Sequence, residues 1–392
     1  MGELTGIGPG ELLEQAERVA GVIAATAITA DGQATWLSAS AEPGVARTGD
    51  VTLYEGSAGV AWSLAGAAGV LDDARLAGLS VQAARHAVER APRRAPGPGL
   101  YDGLAGIGLA AMAIGDPGLA KAGGALLDTA ATLPPQAADL VGGAAGTIVA
   151  LMATGRHERA VHLGHRLAAM AVRRPWGCFW PDPGEPIGLC GLAHGVAGIV
   201  WALAELRHPE LDEVVEEGLR YERSWFDPVS GNWPDLRPGA SGRRPAMWCH
   251  GAAGIGLGRL GLFRTTRHPS AAAEAAVALQ VAAADAEHQL SEGVPARGLT
   301  LCHGLGGTVE LLLTAHEILG EPEHLAAARW ILAAALESLG PDPRTWPGGG
   351  PDAAGSMGLM TGLAGTLYLL VRAAHPDRLA SVGLPGGAPP AG

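Results

Sequence analysis

Cysteine is scarce. Four residues, Cys178, Cys190, Cys249 and Cys302, occur in 392, without the spacings of a small secreted domain, which argues against a disulfide scaffold and for a reducing compartment. The close Cys-x-x-Cys pair of a compact zinc knuckle is missing as well. Basic residues are outnumbered, 27 Lys and Arg against 39 Asp and Glu for a net charge of −12. That balance opposes attraction to phosphate backbones and anionic lipid, so nucleic acid is not an expected partner. The opening stretch MGELTGIGPGELLEQAERV has neither the basic nor the apolar segment of a secretion signal. No apolar run reaches the roughly 18 residues that cross a bilayer. The expectation is a soluble, cytoplasmic protein with no membrane span.

Glycine is abundant, 60 residues, and 48% of the chain is hydrophobic against 17% charged, enough to bury a large core. The glycines head apolar segments rather than filling polar tracts. A Gly-x-(Ala/Gly)-Gly pattern recurs at Gly56/Gly59, Gly103/Gly106, Gly143/Gly146, Gly195/Gly198, Gly251/Gly254, Gly304/Gly307 and Gly362/Gly365, in steps of 47, 40, 52, 56, 53 and 58 residues. Repetition at this period marks a repeat architecture.

Each pattern opens 10 to 14 mostly apolar residues, such as VAWSLAGAAGV, IVWALAEL and TVELLLTAHEIL, which read as helices buried on all sides. Between them lie amphipathic segments such as ELLEQAERVAGVIA, ERAVHLGHRLAAMAV and EHLAAARWILAAALESL, which read as outer helices. The expected fold is all-α: an α,α-toroid of seven outer and seven inner helices in one domain over 1–384, with 385–392 a disordered tail. An open solenoid is the alternative, but neither terminal repeat carries the polar cap that an open array needs. In the closed form every inner helix aims its N-terminus, and its partial positive charge, at one end of the barrel.

The residue before each first glycine is Glu55, Asp102, Gly142, His194, His250, His303 and Thr361, so three consecutive repeats present histidine there. Two of those histidines follow cysteines, in MWCHGAAGIG and LCHGLGG. Cys249, Cys302 and His303 together make a set of soft and borderline ligands with a fourth zinc position left open, the mark of catalysis rather than of a staple. The plainer reading makes both cysteines small buried hydrophobes. Cys190, four residues before His194, could instead complete a closed structural site. His194 is a candidate for proton transfer. Asp139, four residues before its glycine, would reach the same mouth or cap its helix.

The stretches LYEGSAGVA, LYDGLAGIG, DLVGGAAG, GLAHGVAG, NWPDLR with WCHGAAGIGLGRL, TLCHGLGGTVELLL and GLMTGLAGTLYLLVR together resemble the lanthionine synthetase C-like (LanC-like) cyclases, along essentially the whole chain. The resemblance implies a seven-repeat toroid with Zn²⁺ on Cys249, Cys302 and His303, an acid/base His194 and an active-site Asp139. It implies addition of peptide cysteine thiols to dehydroalanine or dehydrobutyrine, giving thioether rings in a dehydrated precursor peptide. An arginine of the family has no counterpart at its usual offset, where Pro245 stands; Arg243 and Arg244 are adjacent, and Arg244 is taken as the candidate. His250 stands where some members have an aromatic hydroxyl. The C-terminal LVRAAHPDRLASVGLP resembles the end of the cyclase domain of bifunctional synthetases, whose dehydratase would here be a separate protein. Two other readings stay open: a zinc-dependent thiol alkyltransferase like the protein prenyltransferases, whose Asp-Cys-His ligand set differs, and a non-catalytic binding module.

Overall fold

The computed structural model describes residues 6–39, 46–48, 50–94, 97–134, 137–182, 185–240, 242–293, 295–350 and 353–385; most of the expected C-terminal tail, 386–392, lies outside them. Among the described residues seven inner helices, α2 (Ser57–Leu71), α4 (Leu104–Ala113), α6 (Ala144–Ala153), α8 (Val196–Glu205), α10 (Ala252–Thr266), α12 (Leu305–Leu319) and α14 (Leu363–Ala374), alternate with seven outer ones. The outer helices are α1 (Pro9–Ala25), α3 (Ala74–Arg94), α5 (Pro117–Thr132), α7 (His157–Ala169), α9 (Asp212–Ser224), α11 (Pro269–Ser291) and α13 (Pro322–Leu339). Burial follows composition. On α4 every residue from Leu104 to Ala111 is buried, whereas α7 buries only Ala160, Leu163, Gly164 and Leu167, one stripe of a helix with solvent on its other face.

Each inner helix touches the next, and α14 touches α2, so the inner ring is closed. The expected α,α-toroid is what the chain forms. Its pairing adds a detail: each inner helix packs chiefly on the outer helix that follows it, and the last, α14, takes α1 from the other end of the chain. Closure is thus made by the first helix covering the last, which removes the unpaired faces that an open array must cap.

A second ring, of backbone hydrogen bonds, runs through the loops that enter the inner helices. The amide two residues before each first motif glycine donates to the same position of the next repeat: Tyr54 to Tyr101 at 2.7 Å, Tyr101 to Val141 at 3.0 Å, Val141 to Ala193 at 3.3 Å, Ala193 to Cys249 and Cys249 to Cys302 at 3.4 Å, Cys302 to Met360 at 2.9 Å, and Met360 back to Tyr54 at 2.9 Å. Glycine is required where these loops fold back on the helix. A Cβ on Gly106 would collide with the Leu100 carbonyl oxygen, and one on Gly254 with that of Trp248.

Helices alone were expected, yet among the described residues three short antiparallel strand pairs are present: β1 (Ile28–Ala30) with β2 (Gln33–Thr35), β3 (Leu37–Ala39) with β4 (Ala46–Thr48), and β5 (Val172–Arg174) with β6 (Gly177–Phe179). Turn chemistry explains the first. Asp31 and Gly32 both take positive φ, 51° and 71°, the Asp-Gly pair of a two-residue hairpin turn. Beyond α14 the chain turns into the barrel axis. The Tyr101 hydroxyl donates to the Val382 carbonyl at 2.7 Å, and Val382 and Leu384 are buried. Among the described residues no helix is long and apolar enough to cross a membrane.

Candidate metal centre at the mouth of the ring

The hydrogen-bonded ring decides what meets at the mouth. Cys249 and Cys302 occupy the same position of neighbouring repeats, so the amide of one bonds the carbonyl of the other and their side chains issue side by side. Their sulfurs and one ring nitrogen of His303 lie within 4.8 Å of one another, with Cys302 Sγ 3.5 Å from His303 Nε2. Ligands held about 2.0–2.3 Å from one zinc ion in a tetrahedron stand about 3.3–3.8 Å apart, a spacing that the Cys302–His303 pair already has. Both cysteines are buried and unpaired by any disulfide, and His303 Nδ1 is closed off from solvent without a hydrogen-bond partner among the described residues. The two thiols titrate as a pair. Hydrogen bonding from Cys302, against burial and with help from His303, pulls Cys249 down to about 4. Cys302 is pushed up, first by burial and then by its hydrogen bond to Cys249 and the charge there. A buried group poised as thiolate beside an imidazole suits a soft or borderline divalent ion; these three residues could hold one.

A cavity of about 410 Å³ opens over them, lined also by Tyr54, His194, Arg237, Trp248 and His250. His194 Nδ1 is 2.6 Å from Asp139 Oδ2, while Asp139 Oδ1 accepts the Gly142 amide at 2.8 Å. Asp139 is not the cap of α6, whose N-cap is Gly143 with no side-chain bond; one of its oxygens fixes the loop ahead of the helix and the other fixes the imidazole. Burial alone would disfavour protonated His194, but the Asp139 hydrogen bond and charge outweigh it and raise the pKa. His250, whose ring stacks 6.1 Å from that of His194, is shifted the other way by burial, with Arg237 and His194 adding repulsion to the attraction of Cys249 and Asp235. Two adjacent imidazoles are thus driven apart, one toward the cation and one toward the neutral base.

Arg244 is not brought to this cavity. Its guanidinium lies 3.3 Å from Asp227 Oδ2 and donates to the Gly242 carbonyl. The arginine at the mouth is Arg237, whose Nε and Nη2 donate to the two oxygens of Asp235 at 2.9 and 2.6 Å; the Asp235 side chain is only 2% exposed. The loop carrying it is tied down by Asn232, which donates to the carbonyls of Arg244 and Pro245. The same loop forces Gly251 to φ 94°, where a Cβ would strike the Pro245 oxygen. Sequence reasoning missed Arg237, because nothing in its spacing sets it in register with the repeats. It also missed Tyr54, which shares the ring position of the two cysteines and was legible had that column been read.

Cys190 lies outside the convergent group; burial, with the Glu222 carboxylate adding, pushes its thiol well up. Glu55 accepts from the Ser356 hydroxyl at 2.8 Å and from Thr361, and burial pushes its carboxyl up to about 7. Asp102 is raised by burial and by the Asp139 charge. A second cavity of about 250 Å³ shares Asp182, Glu185 and His194 with the first and is lined also by Asp139, Met170 and Trp180.

The family described as "Lanthionine synthetase C-like protein" matches residues 47–385. The chain belongs to that family. Among solved structures, nisin cyclase is similar in fold, with a TM-score of 0.63 at 16% sequence identity, over 84% of this chain and 89% of that one. No curated protein matches. The LanC-like toroid of this chain thus sets its Cys-Cys-His group and its His-Asp pair around one cavity at the N-terminal ends of the inner helices.

Proposed function

We propose that this LanC-like protein is a zinc-dependent lanthipeptide cyclase. The observation that carries the reading is the convergence of Cys249, Cys302 and His303 with an Asp139-held His194 on one open cavity. Cys249, Cys302 and His303 would hold the zinc, which when bound keeps a thiol that reaches it deprotonated at neutral pH, against an ordinary value near 8.5. Three protein ligands leave a position for that thiol.

The reaction is an addition of S–H across a carbon–carbon double bond. The sulfur pair of a peptide cysteine attacks the β-carbon of dehydroalanine or dehydrobutyrine, the π pair moves into the adjacent amide as an enolate, and a proton returns to Cα. With Nδ1 engaged by Asp139, His194 has Nε2 to deliver that proton, and the upward shift of its pKa favours the charged form that does so. Arg237, pinned by Asp235 through two nitrogens, keeps Nη1 for the oxygen on which charge develops, a donor preorganised by its carboxylate. His250, neutral, walls the cavity against His194. The substrate must already be dehydrated, so a protein that removes water from Ser and Thr of the precursor peptide, a separate dehydratase, is the implied partner.

The test is a synthetic peptide holding one cysteine and one dehydroalanine. Incubated with zinc-loaded protein, it is expected to lose its free thiol faster than without protein, with no change in mass. A rate equal to the protein-free rate overturns the proposal and leaves a binding module.

A further inference from the structure

At the other end of the barrel a second group of metal-ligating side chains meets. His165 lies on the outer helix α7. His208 follows the C-terminal end of the inner helix α8, the end remote from the mouth, and Glu210 comes two residues later. One ring nitrogen from each histidine and one Glu210 oxygen lie within 4.8 Å of one another. The imidazoles meet edge to face with centroids 4.8 Å apart, and His165 Nε2 is 3.8 Å from Glu210 Oε2. His208 Nδ1 is shut away from solvent and has no hydrogen-bond partner among the described residues.

We propose that His165, His208 and Glu210 form a second metal site, for a divalent ion of borderline softness such as Zn²⁺, Ni²⁺ or Cu²⁺. Two neutral imidazoles and a carboxylate suit those ions, whereas Ca²⁺ and Mg²⁺ require oxygen ligands. Packing of two histidines by itself would explain neither the carboxylate drawn to them nor a buried nitrogen left without a partner. Ligand atoms around one such ion stand about 3–3.5 Å apart, so a modest closing movement completes the set. Glu210, 76% exposed, is free to make it. The site would join α7 to the connection between α8 and α9, bridging the third and fourth repeats. Its open side faces solvent and it contains no thiolate, so it binds more weakly than the cysteine site at the mouth. A count above one zinc per chain would then report this site and not a second ion at the mouth.

This site is independent of the proposed cyclase activity, and its test uses metal alone. Metal-stripped protein titrated with Zn²⁺ is expected to show two sites, a tight one lost in the double variant Cys249→Ala/Cys302→Ala and a weaker one lost in His165→Ala/His208→Ala. With Cu²⁺, the cysteine variant should give an electron paramagnetic resonance spectrum with nitrogen splitting from imidazole, and Glu210→Gln should weaken the weaker site by about tenfold or more. Circular dichroism establishes that each variant is folded. Equal Cu²⁺ affinity and unchanged nitrogen splitting after His165→Ala/His208→Ala, tested in the cysteine-free background, would overturn the proposal.

Discussion

Two polar clusters sit within the same ring of helices, and they are finished to different degrees. Beneath the mouth, Arg372 of α14 and Glu310 of α12 are fully buried. Arg372 donates to Glu310 at 2.8 Å, to Glu317 at 2.8 Å, to the Thr314 hydroxyl and to the Leu379 carbonyl. The second oxygen of Glu310 takes the Ser381 hydroxyl at 2.6 Å and the Gly383 amide at 3.1 Å. Every group there has a protein partner, and the cluster locks the C-terminal segment into the axis. At the mouth, two thiols are crowded together, one His303 nitrogen has no partner among the described residues, and His194 and Arg237 are each held from one side and open on the other. A satisfied buried network specifies structure; an unsatisfied one at the end of a cavity is available for a ligand.

That contrast can be broken or sharpened by experiment. The largest effect is expected from Cys302→Ala, which should empty the mouth site of zinc and reduce thiol consumption to the protein-free rate; elemental analysis beside a thiol assay reads both, and full zinc retention would remove Cys302 from the ligand set. Next, His194→Ala should keep zinc and slow cyclisation by about 10²–10⁴-fold. Asp139→Asn should cost less and change the pH profile. Asp139 raises the His194 pKa, so activity that needs protonated His194 is lost as pH rises through that value, and without Asp139 the loss should begin at lower pH. An unaltered basic limb would show that Asp139 does not act through His194.

The finished cluster should respond in stability and not in chemistry. Glu310→Ala leaves Arg372 with Glu317 as its remaining carboxylate and should cost about 3 kcal/mol in denaturant unfolding, while the folded fraction keeps its zinc. A smaller and purely catalytic difference is expected between the two arginines: Arg237→Ala should slow turnover by about tenfold or more, and Arg244→Ala should leave it near wild type. The reverse order would return the role to Arg244.

The smallest effect tests a polar group that belongs to neither cluster. His86, buried and bonded to the Ser57 hydroxyl at 2.9 Å, is drawn down to about 4 by burial and by Arg90 and Arg94. A histidine held neutral in the fold stabilises above its unfolded pKa of about 6.5, and that contribution is lost as pH falls toward 4. His86→Gln should flatten the fall of melting temperature across that window; an unchanged slope would show that His86 does not set it.

Much of this was legible in the residues. The glycine pairs at steps of 40 to 58 residues dictate seven helix-entering turns, because a side chain at the second glycine collides with a carbonyl of the loop, and the uniformly apolar runs behind them can only be buried. Hence the ring of inner helices, and hence the meeting of Cys249 with Cys302, 53 residues apart but at one position of neighbouring repeats. His194 was legible for the same reason. Features tied to the repeat could be read from the chain alone.

Features that depart from the repeat could not. The loop that sets Arg237 over the thiols, and turns Arg244 toward Asp227, is ordered by Asn232, Asp235 and the backbone around Gly251, contacts between residues with no common period. The turn of the C-terminal segment into the axis depends on Tyr101, Glu310 and Tyr368, which belong to three different repeats. The pairing of α1 with α14 joins the two ends of the chain, which no local pattern relates. A repeating sequence determines its repeating contacts, because each is reinforced at every turn of the ring; a single contact between distant segments is decided only when the folded barrel has set the two surfaces side by side.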